Sequence, residues 1–221
     1  MPFGAIWDLD GTLVTTERYH FESWRALLRE HGRNLDYETF RPTFGLRNDD
    51  VLTSFLGFDS SYPIAELADR KETIFRDLLE QDGLQLQPGA RKLVEHLHSL
   101  GFKQAIASSA PRGNIDIIVR LMPMGEHFQA VVSSEQIRHG KPAPDIILRA
   151  AEDLELDPSR CVVFEDAPAG VQAGRSAGCK VIALVAAFEA QALHQADLIV
   201  DSFDEVLWSS EQWERFLLQS D

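Results

Sequence analysis

Two carboxylates near the start of the chain stand at alternate positions, in the segment Asp8-Leu9-Asp10-Gly11-Thr12. In an extended segment, both side chains point to the same side of the backbone. One carboxylate can then attack phosphorus as a nucleophile, while the other exchanges a proton with the leaving or entering oxygen. Gly11 lets the backbone turn tightly after them. Asp and Thr also form ordinary turns and helix caps, so this segment alone leaves both interpretations open.

Three further polar clusters carry groups that phosphoryl chemistry uses. Ser108 and Ser109 offer a hydroxyl group and an amide donor, and Lys141, in a Gly-Lys-Pro-Ala-Pro-Asp segment, offers a cation. Glu165 and Asp166 offer carboxylate oxygens, the ligands that Mg²⁺ prefers. Each cluster also has a plain structural interpretation, as turn residues, a solvated lysine or a helix cap. The four clusters together are more specific than any one of them.

Three of the four clusters are positioned by the element before them. The first, second and fourth follow short apolar runs, which is the pattern of a buried strand that ends in a loop. Helical stretches lie between the runs, and this alternation indicates parallel βαβ units in a doubly wound α/β sheet, where ligands bind beyond the carboxyl ends of the strands. The predicted strands are 3–7, 103–107, 130–132, 161–164 and 181–185, and the predicted helices include 89–100, 115–122 and 143–154.

Residues 15–85 break this alternation, because they contain helical apolar patterns without strands. One stripe with helical spacing consists of Ile64, Leu67, Ala68, Ile74, Phe75 and Leu78. We therefore predict a small α-helical domain, 15–85, inserted as a cap into a catalytic core of 1–14 and 86–221. The tail, with Trp208 and Trp213, is predicted to form a packing helix.

The four clusters, in this order, resemble the four motifs of the haloacid dehalogenase superfamily, and the resemblance extends over essentially the whole chain. It implies a Rossmann-like core, Mg²⁺ as cofactor and phosphoryl transfer through an aspartyl-phosphate. Asp8 would be the nucleophile and a metal ligand. Asp10 would be the general acid/base and would give its backbone carbonyl to the metal. Asp166 would be a second carboxylate ligand, with Glu165 either a direct ligand or a residue just outside the ligand set.

The resemblance also implies a set of contacts to the phosphoryl oxygens, from Thr12, Ser108, the amide of Ser109 and Lys141. Such chemistry depends mostly on positioning and electrostatic stabilisation. A non-catalytic binding protein on the same fold would be expected to have lost part of this set. A dehalogenase would have less use for Asp10 and the Glu165-Asp166 pair. An enzyme that transfers phosphoryl groups with Mg²⁺ is therefore preferred to both.

Within the superfamily, the inserted helical cap resembles that of subfamily I (the C1 cap), which includes sugar-phosphate phosphatases and β-phosphoglucomutase. The stretch 15–24 is close to the mutase pattern, with Thr16 and His20 in its functional places, although His20 also fits the apolar face of a helix. Lys71 occupies the gap in the apolar stripe, where a lysine must reach solvent or face an anionic group. We predict that Lys71 faces the catalytic cleft and that Arg47 is a second cation for the substrate.

The resemblance to the mutase ends after the serine motif. The mutase has a Ser-Lys-Asn-like run where its second phosphate sits, whereas here Ala110 offers no hydroxyl and Pro111 no amide proton. Arg112 and Asn114 are candidate replacements. We therefore predict a phosphatase acting on a small phosphorylated metabolite such as a sugar phosphate, with a phosphomutase as the alternative.

The composition limits the partners. The 221 residues carry a formal net charge of −14, which argues against nucleic acid as a partner. An anionic substrate then needs a local cationic site. Cys161 and Cys179 are too few for a disulfide framework. The sequence shows neither a basic and apolar leader nor an apolar run of membrane-spanning length. The prediction is a cytoplasmic, monomeric enzyme without nucleic-acid or membrane partners.

Overall fold

The computed structural model describes residues 2–43, 48–55, 57–58 and 61–219. The chain divides into two compact units, Met1–Thr15 with Gln85–Asp221 and Thr16–Leu84, which we call the sheet unit and the helical unit. Arg47, one of the predicted substrate contacts, lies outside the described residues. Over the ranges that are described, no helix is both long enough and apolar enough to cross a membrane.

The described elements alternate between strand and helix in the sheet unit and are helical in the other. The strands are β1 (Gly4–Trp7), β2 (Lys103–Ser108), β3 (Ala130–Ser133), β4 (Cys161–Glu165), β5 (Lys180–Leu184) and β6 (Leu198–Val200). The helices are α1 (Glu17–Glu30), α2 (Tyr37–Phe40), α3 (Asn48–Asp50), α4 (Ile64–Asp82), α5 (Ala90–Ser99), α6 (Arg112–Leu121), α7 (Asp145–Asp153), α8 (Pro168–Ser176) and α9 (Ser210–Leu218).

The six strands form one parallel sheet in the order β3-β2-β1-β4-β5-β6, so the predicted doubly wound α/β fold is confirmed. The first strand is central, and the chain adds strands on both sides of it. Trp7 at the end of β1 is paired with Ile106 on β2 and with Phe164 on β4. Because neighbouring parallel strands end at the same edge, the residues that follow these three strands meet there.

The core directly below that edge is aromatic. The rings of Trp7 and Phe164 stack with centroids 3.9 Å apart, and both side chains are fully buried. Nε1 of Trp7 donates to Oε1 of Gln104 at 3.1 Å, so the buried indole N–H is satisfied. Burying each ring stabilises the fold by about 2–3 kcal/mol. Asp8 directly follows Trp7, and Glu165 directly follows Phe164. The stacked rings therefore hold the backbone next to these two carboxylates.

The helical unit has its own core. Trp24, Leu27 and Leu28 of α1 are buried, as the helical pattern predicted, and they belong to the same apolar cluster as Leu67 of α4. Helix α4 ends before Gly83, whose φ of 78° is readily accessible to glycine. The helices α1 and α4 are therefore fixed by a packed apolar core of the helical unit.

The C-terminal region packs within the sheet unit. Trp213 lies in α9 and is fully buried, whereas Trp208 lies just before the helix begins. The Trp213 ring contacts Phe102 and Phe164, with centroids 5.7 and 6.3 Å apart. The tail therefore packs on the aromatic group that includes Phe164.

Candidate active site

Asp8 follows the central strand directly. Its backbone N–H still donates to the carbonyl oxygen of Phe164 at 3.0 Å, so the peptide is held in the sheet's hydrogen-bond pattern. The residue is 9% exposed, and Oδ1 accepts a hydrogen bond from Nζ of Lys141 at 2.6 Å. A carboxylate at the open edge of the sheet is thus held firmly, with a cation beside it.

Lys141 uses all three of its donors within the sheet unit. Nζ contacts Oδ1 of Asp8 and Oε1 of Glu165, both at 2.6 Å, and the carbonyl oxygen of Ala107 at 3.2 Å. Burial lowers the pKa of this ammonium, but the charges of the two carboxylates outweigh it, so the Lys141 pKa is raised above its ordinary value. The lysine therefore stays charged next to the nucleophile candidate.

Glu165 is fixed on both of its oxygens. Oε1 accepts from Lys141, and Oε2 accepts from the backbone N–H groups of Asp166 and Ala167, at 3.0 and 3.1 Å. Gly170, in the first turns of α8, packs against this carboxylate so closely that a Cβ there would overlap it. Glycine at 170 is therefore what allows Glu165 to hold the lysine.

We expect Gly170→Ala to damage both stability and activity. The added methyl group must displace Glu165 or move α8, and overpacking of this kind costs about 2 kcal/mol. For a chain of this length, the melting temperature should fall by roughly 4–8 °C. Gly140→Ala is the matched control, because nothing lies within 4 Å of a Cβ built there. Equal melting temperatures for the two variants would contradict the packing argument.

Asp166 lies against the first carboxylate loop. Its Oδ1 accepts a hydrogen bond from the hydroxyl of Thr12 at 3.0 Å. Gly11 has a φ of 92°, in the left-handed region that favours glycine, and a Cβ at this position would overlap the Asp166 carboxylate. The glycine of the Asp-x-Asp-Gly-Thr segment thus serves two needs, the turn and the close approach of Asp166.

Three carboxylates form a buried cluster that fits a divalent cation. Asp8, Glu165 and Asp166 each offer an oxygen within 4.8 Å of the others. Burial, opposed in part by Lys141, raises the Asp8 pKa to about 7, and the charges of Glu165 and Asp10 raise it too. Burial and the neighbouring carboxylates also raise the pKa of Asp166. One lysine does not offset this much buried negative charge, and an all-oxygen donor set is what Mg²⁺ takes.

The other predicted residues of the sheet unit divide into two groups. Ser108, buried at the end of β2, follows Ala107, whose carbonyl oxygen contacts Lys141. Asp10 is half-buried, two residues after Asp8. In contrast, Ser109 is exposed.

The two candidate replacements for a second anion site lie on α6. Arg112 is exposed, and its Nε donates to Oδ1 of Asp116 on the same helix at 2.7 Å. Asn114 is buried. The structure therefore gives Arg112 a carboxylate partner of its own.

Comparison with known proteins adds an independent finding. A family model described as haloacid dehalogenase-like hydrolase matches residues 4–178. The chain belongs to this family. The match includes all four motifs. It confirms the resemblance predicted from the sequence, and with it the prediction that this protein is an enzyme.

Curated relatives of this chain include a phosphatase and a phosphomutase. Hexitol phosphatase A of Escherichia coli (strain K12) is 35% identical over 205 residues, which is 92% of each chain. β-Phosphoglucomutase of Bacillus subtilis (strain 168) is 30% identical over an alignment of 224 positions, which covers 97% of each chain. Among solved structures, CbbY from Rhodobacter sphaeroides in complex with phosphate has a TM-score of 0.83 and 26% identity. That alignment covers 93% of this chain and 96% of the CbbY chain.

The helical unit of this haloacid dehalogenase-like hydrolase carries a second polar cluster. Nζ of Lys71 lies 2.8 Å from Nδ1 of His20 and 3.0 Å from Oε1 of Glu72, and Nδ2 of Asn48 donates to the same Glu72 oxygen at 2.7 Å. Lys71 is only 1% exposed. A charged lysine has donors only, so with Lys71 as an ammonium Nδ1 of His20 is the acceptor. The His20 ring stacks on Phe75, with centroids 4.3 Å apart.

Three of the substrate contacts named from the sequence, Thr16, His20 and Lys71, lie in the helical unit. Lys71 falls on the buried side of α4, in the gap of the apolar stripe, and Thr16 is buried at the N-cap of α1. Glu72 was not among the predicted residues. Adjacent helix positions point about 100° apart, so the stripe that includes Lys71 gives no reason to bury its neighbour. The missing signal was the pairing of Glu72 with Asn48, which only tertiary packing brings together.

Proposed function

We propose that this enzyme is a Mg²⁺-dependent phosphatase that hydrolyses a small phosphorylated metabolite, a sugar phosphate in particular, through an aspartyl-phosphate on Asp8. The observation that carries the proposal is the position of Asp8, buried at the end of the central strand and hydrogen-bonded to a charged Lys141. A carboxylate held this way can attack phosphorus, while the cation offsets the negative charge of the phosphoryl group.

The reaction has two balanced steps. In the first, an Asp8 carboxylate oxygen forms a bond to phosphorus, the ester P–O bond breaks, and Asp10 gives its proton to the leaving alcohol oxygen. In the second, Asp10 takes a proton from water as the water oxygen attacks phosphorus, and the Asp8–phosphorus bond breaks. Inorganic phosphate is released with Asp8 regenerated. Thr12, Ser108 and Lys141 surround the phosphoryl oxygens in both steps.

Asp8 and Asp166 are proposed to hold the Mg²⁺ ion, with the backbone carbonyl of Asp10. Bound there, Mg²⁺ supplies charge stabilisation to the phosphoryl oxygens and reduces the repulsion between the nucleophile and an anionic substrate. Glu165 already accepts three hydrogen bonds, one from Lys141 and two from backbone N–H groups. We assign it to holding the lysine, which explains why both of its oxygens are engaged.

The region after the serine motif supports hydrolysis over mutase action. A mutase must bind a second phosphate while a bisphosphate turns over. Here the N–H of Ala110 is used by Oγ of Ser108 at 3.1 Å, Pro111 has no N–H, and Arg112 is paired with Asp116. The relation to hexitol phosphatase A agrees with a phosphatase, and the relation to β-phosphoglucomutase makes the mutase the alternative.

Thr16, His20 and Lys71 of the helical unit are proposed to select the organic part of the substrate.

The products of one reaction test this proposal. The substrate is β-glucose 1-phosphate or a hexitol phosphate, with Mg²⁺; the mutase product of the first is glucose 6-phosphate. We expect inorganic phosphate to exceed any mutase product by at least about tenfold. This ratio corresponds to a difference of about 1.4 kcal/mol between the barriers of the two reactions. Both products are measured in the same sample, with and without glucose 1,6-bisphosphate. If glucose 6-phosphate dominates and the bisphosphate accelerates its formation, the protein is a mutase.

A further inference from the structure

Gln87 ties three parts of the sheet unit together. It lies three residues after Leu84, the last residue of the helical unit. Its backbone N–H donates to the carbonyl oxygen of Leu13 at 3.0 Å, and its own carbonyl oxygen accepts from the N–H of Ala90, the first residue of α5, at 3.1 Å. Its side-chain Nε2 donates to the carbonyl oxygen of Gly11 at 2.7 Å.

The side-chain bond reaches the catalytic loop at Gly11, a residue that other contacts also restrain. The N–H of Gly11 donates to the carbonyl oxygen of Val14 at 2.8 Å, and the Asp166 carboxylate leaves no room for a Cβ at this position. The Gln87 side chain adds a restraint on the carbonyl oxygen of Gly11. The next residue is held as well, because the Thr12 hydroxyl is bonded to Asp166.

We infer that Gln87 is a positioning residue for phosphoryl transfer: by holding the Gly11 carbonyl oxygen, it sets the orientation of the loop that carries Asp10 and Thr12. The inference rests on the proposed function for its kinetic part only. The amide is suited to this task because it offers N–H donors without adding charge to an acidic cluster. Positioning errors of about 1 Å in such loops can lower turnover by about a hundredfold.

The alternative is that Gln87 serves stability alone, by anchoring the beginning of α5. The backbone groups of Gln87 already do that, through Leu13 and Ala90, and any residue except proline can supply them. The side-chain hydrogen bond to Gly11 adds a separate restraint, on the catalytic loop. The two roles therefore separate in a variant that changes the side chain and leaves the backbone bonds in place.

Gln87→Met tests the inference, because methionine keeps the length and shape of the side chain but donates no hydrogen bond. Gln85→Met is the matched control, since Gln85 lies on the same connecting segment with an exposed side chain. We expect Gln87→Met to lower kcat by roughly tenfold with KM unchanged within about twofold. Backbone amide exchange, followed by mass spectrometry, should rise at least about tenfold in 9–14 but not in 4–7.

The amide exchange needs no substrate, so it stands even if the wild-type protein shows no phosphatase activity and the proposed function fails. Exchange in 9–14 equal to that of Gln85→Met would overturn the inference. So would a uniform rise across the sheet unit, because that would indicate a general loss of stability. With an active wild-type enzyme, an unchanged kcat in Gln87→Met would also overturn the inference, because the orientation of the loop would then not matter for phosphoryl transfer.

Discussion

Replacing Asp8 with asparagine is expected to lower kcat by about four orders of magnitude or more and to leave the fold intact. Asparagine keeps the shape of the side chain and can still accept a hydrogen bond from Lys141, but it lacks the negative charge that attacks phosphorus. Activity is measured with any substrate that the wild-type enzyme turns over. Asp201→Asn, an exposed aspartate of the sheet unit, is the control for the chemical change.

Asp8→Asn should also change how the stability of the protein depends on pH. In the folded protein, the Asp8 pKa is raised from its ordinary 3.8 to about 7, mainly by burial. The folded state therefore binds this proton more tightly than the unfolded chain, so the group's contribution to stability is fully present below about pH 4 and is lost as pH rises through about 7. Asparagine does not titrate. Without divalent cations, the melting temperature of Asp8→Asn relative to wild type should rise between about pH 5 and pH 8.

The second large effect is expected at Asp166. In Asp166→Asn, the side-chain oxygen can still accept the Thr12 hydroxyl, but one negative charge of the buried cluster is gone. The half-saturating Mg²⁺ concentration should rise by at least about a hundredfold, because even residues beyond the metal ligands change affinity by 10–100-fold. A wild-type metal dependence in Asp166→Asn would rule out this residue as a ligand, and Asp201→Asn again serves as the control.

Metal binding should also depend on pH in the wild-type protein. The raised pKa values of Asp8 and Asp166 mean that protons compete with the cation for the same oxygens. The apparent Mg²⁺ affinity should therefore rise between about pH 5 and pH 8, by up to about tenfold per pH unit for each proton released. The dependence should be weaker in Asp166→Asn, which has one competing proton fewer.

Much of the fold was predictable, because the buried strands are short apolar runs that end at polar segments. The five predicted strands agree with β1–β5 to within one residue at each end. Strand β6 (Leu198–Val200) was not predicted, since three apolar residues carry too little periodicity to be distinguished from a loop. Helix α6 begins at Arg112, earlier than the predicted 115, directly after Pro111, which fixes the entry of the chain into the helix.

The positions of the site residues were predictable where these residues lie at strand ends, as Asp8, Ser108 and Asp166 do. Lys141 lies in the segment between Ser133, the end of β3, and α7, so it was named from the family resemblance instead. The bonds of Gln87 to Gly11 and of Asn48 to Glu72 join residues 76 and 24 positions apart, and neither pair shares a local pattern. Those contacts depend on how the packed elements bring side chains together, which no periodicity encodes.

The central claim is that Asp8 carries the phosphoryl group during turnover, and trapping of the phosphorylated enzyme tests it most directly. The enzyme is mixed with ³²P-labelled acetyl phosphate and Mg²⁺, quenched in acid within milliseconds, digested and analysed by mass spectrometry. We predict acid-stable, base-labile label on the peptide that contains Asp8, and no label in Asp8→Asn. Label on another residue, or equal labelling of Asp8→Asn, would contradict the account.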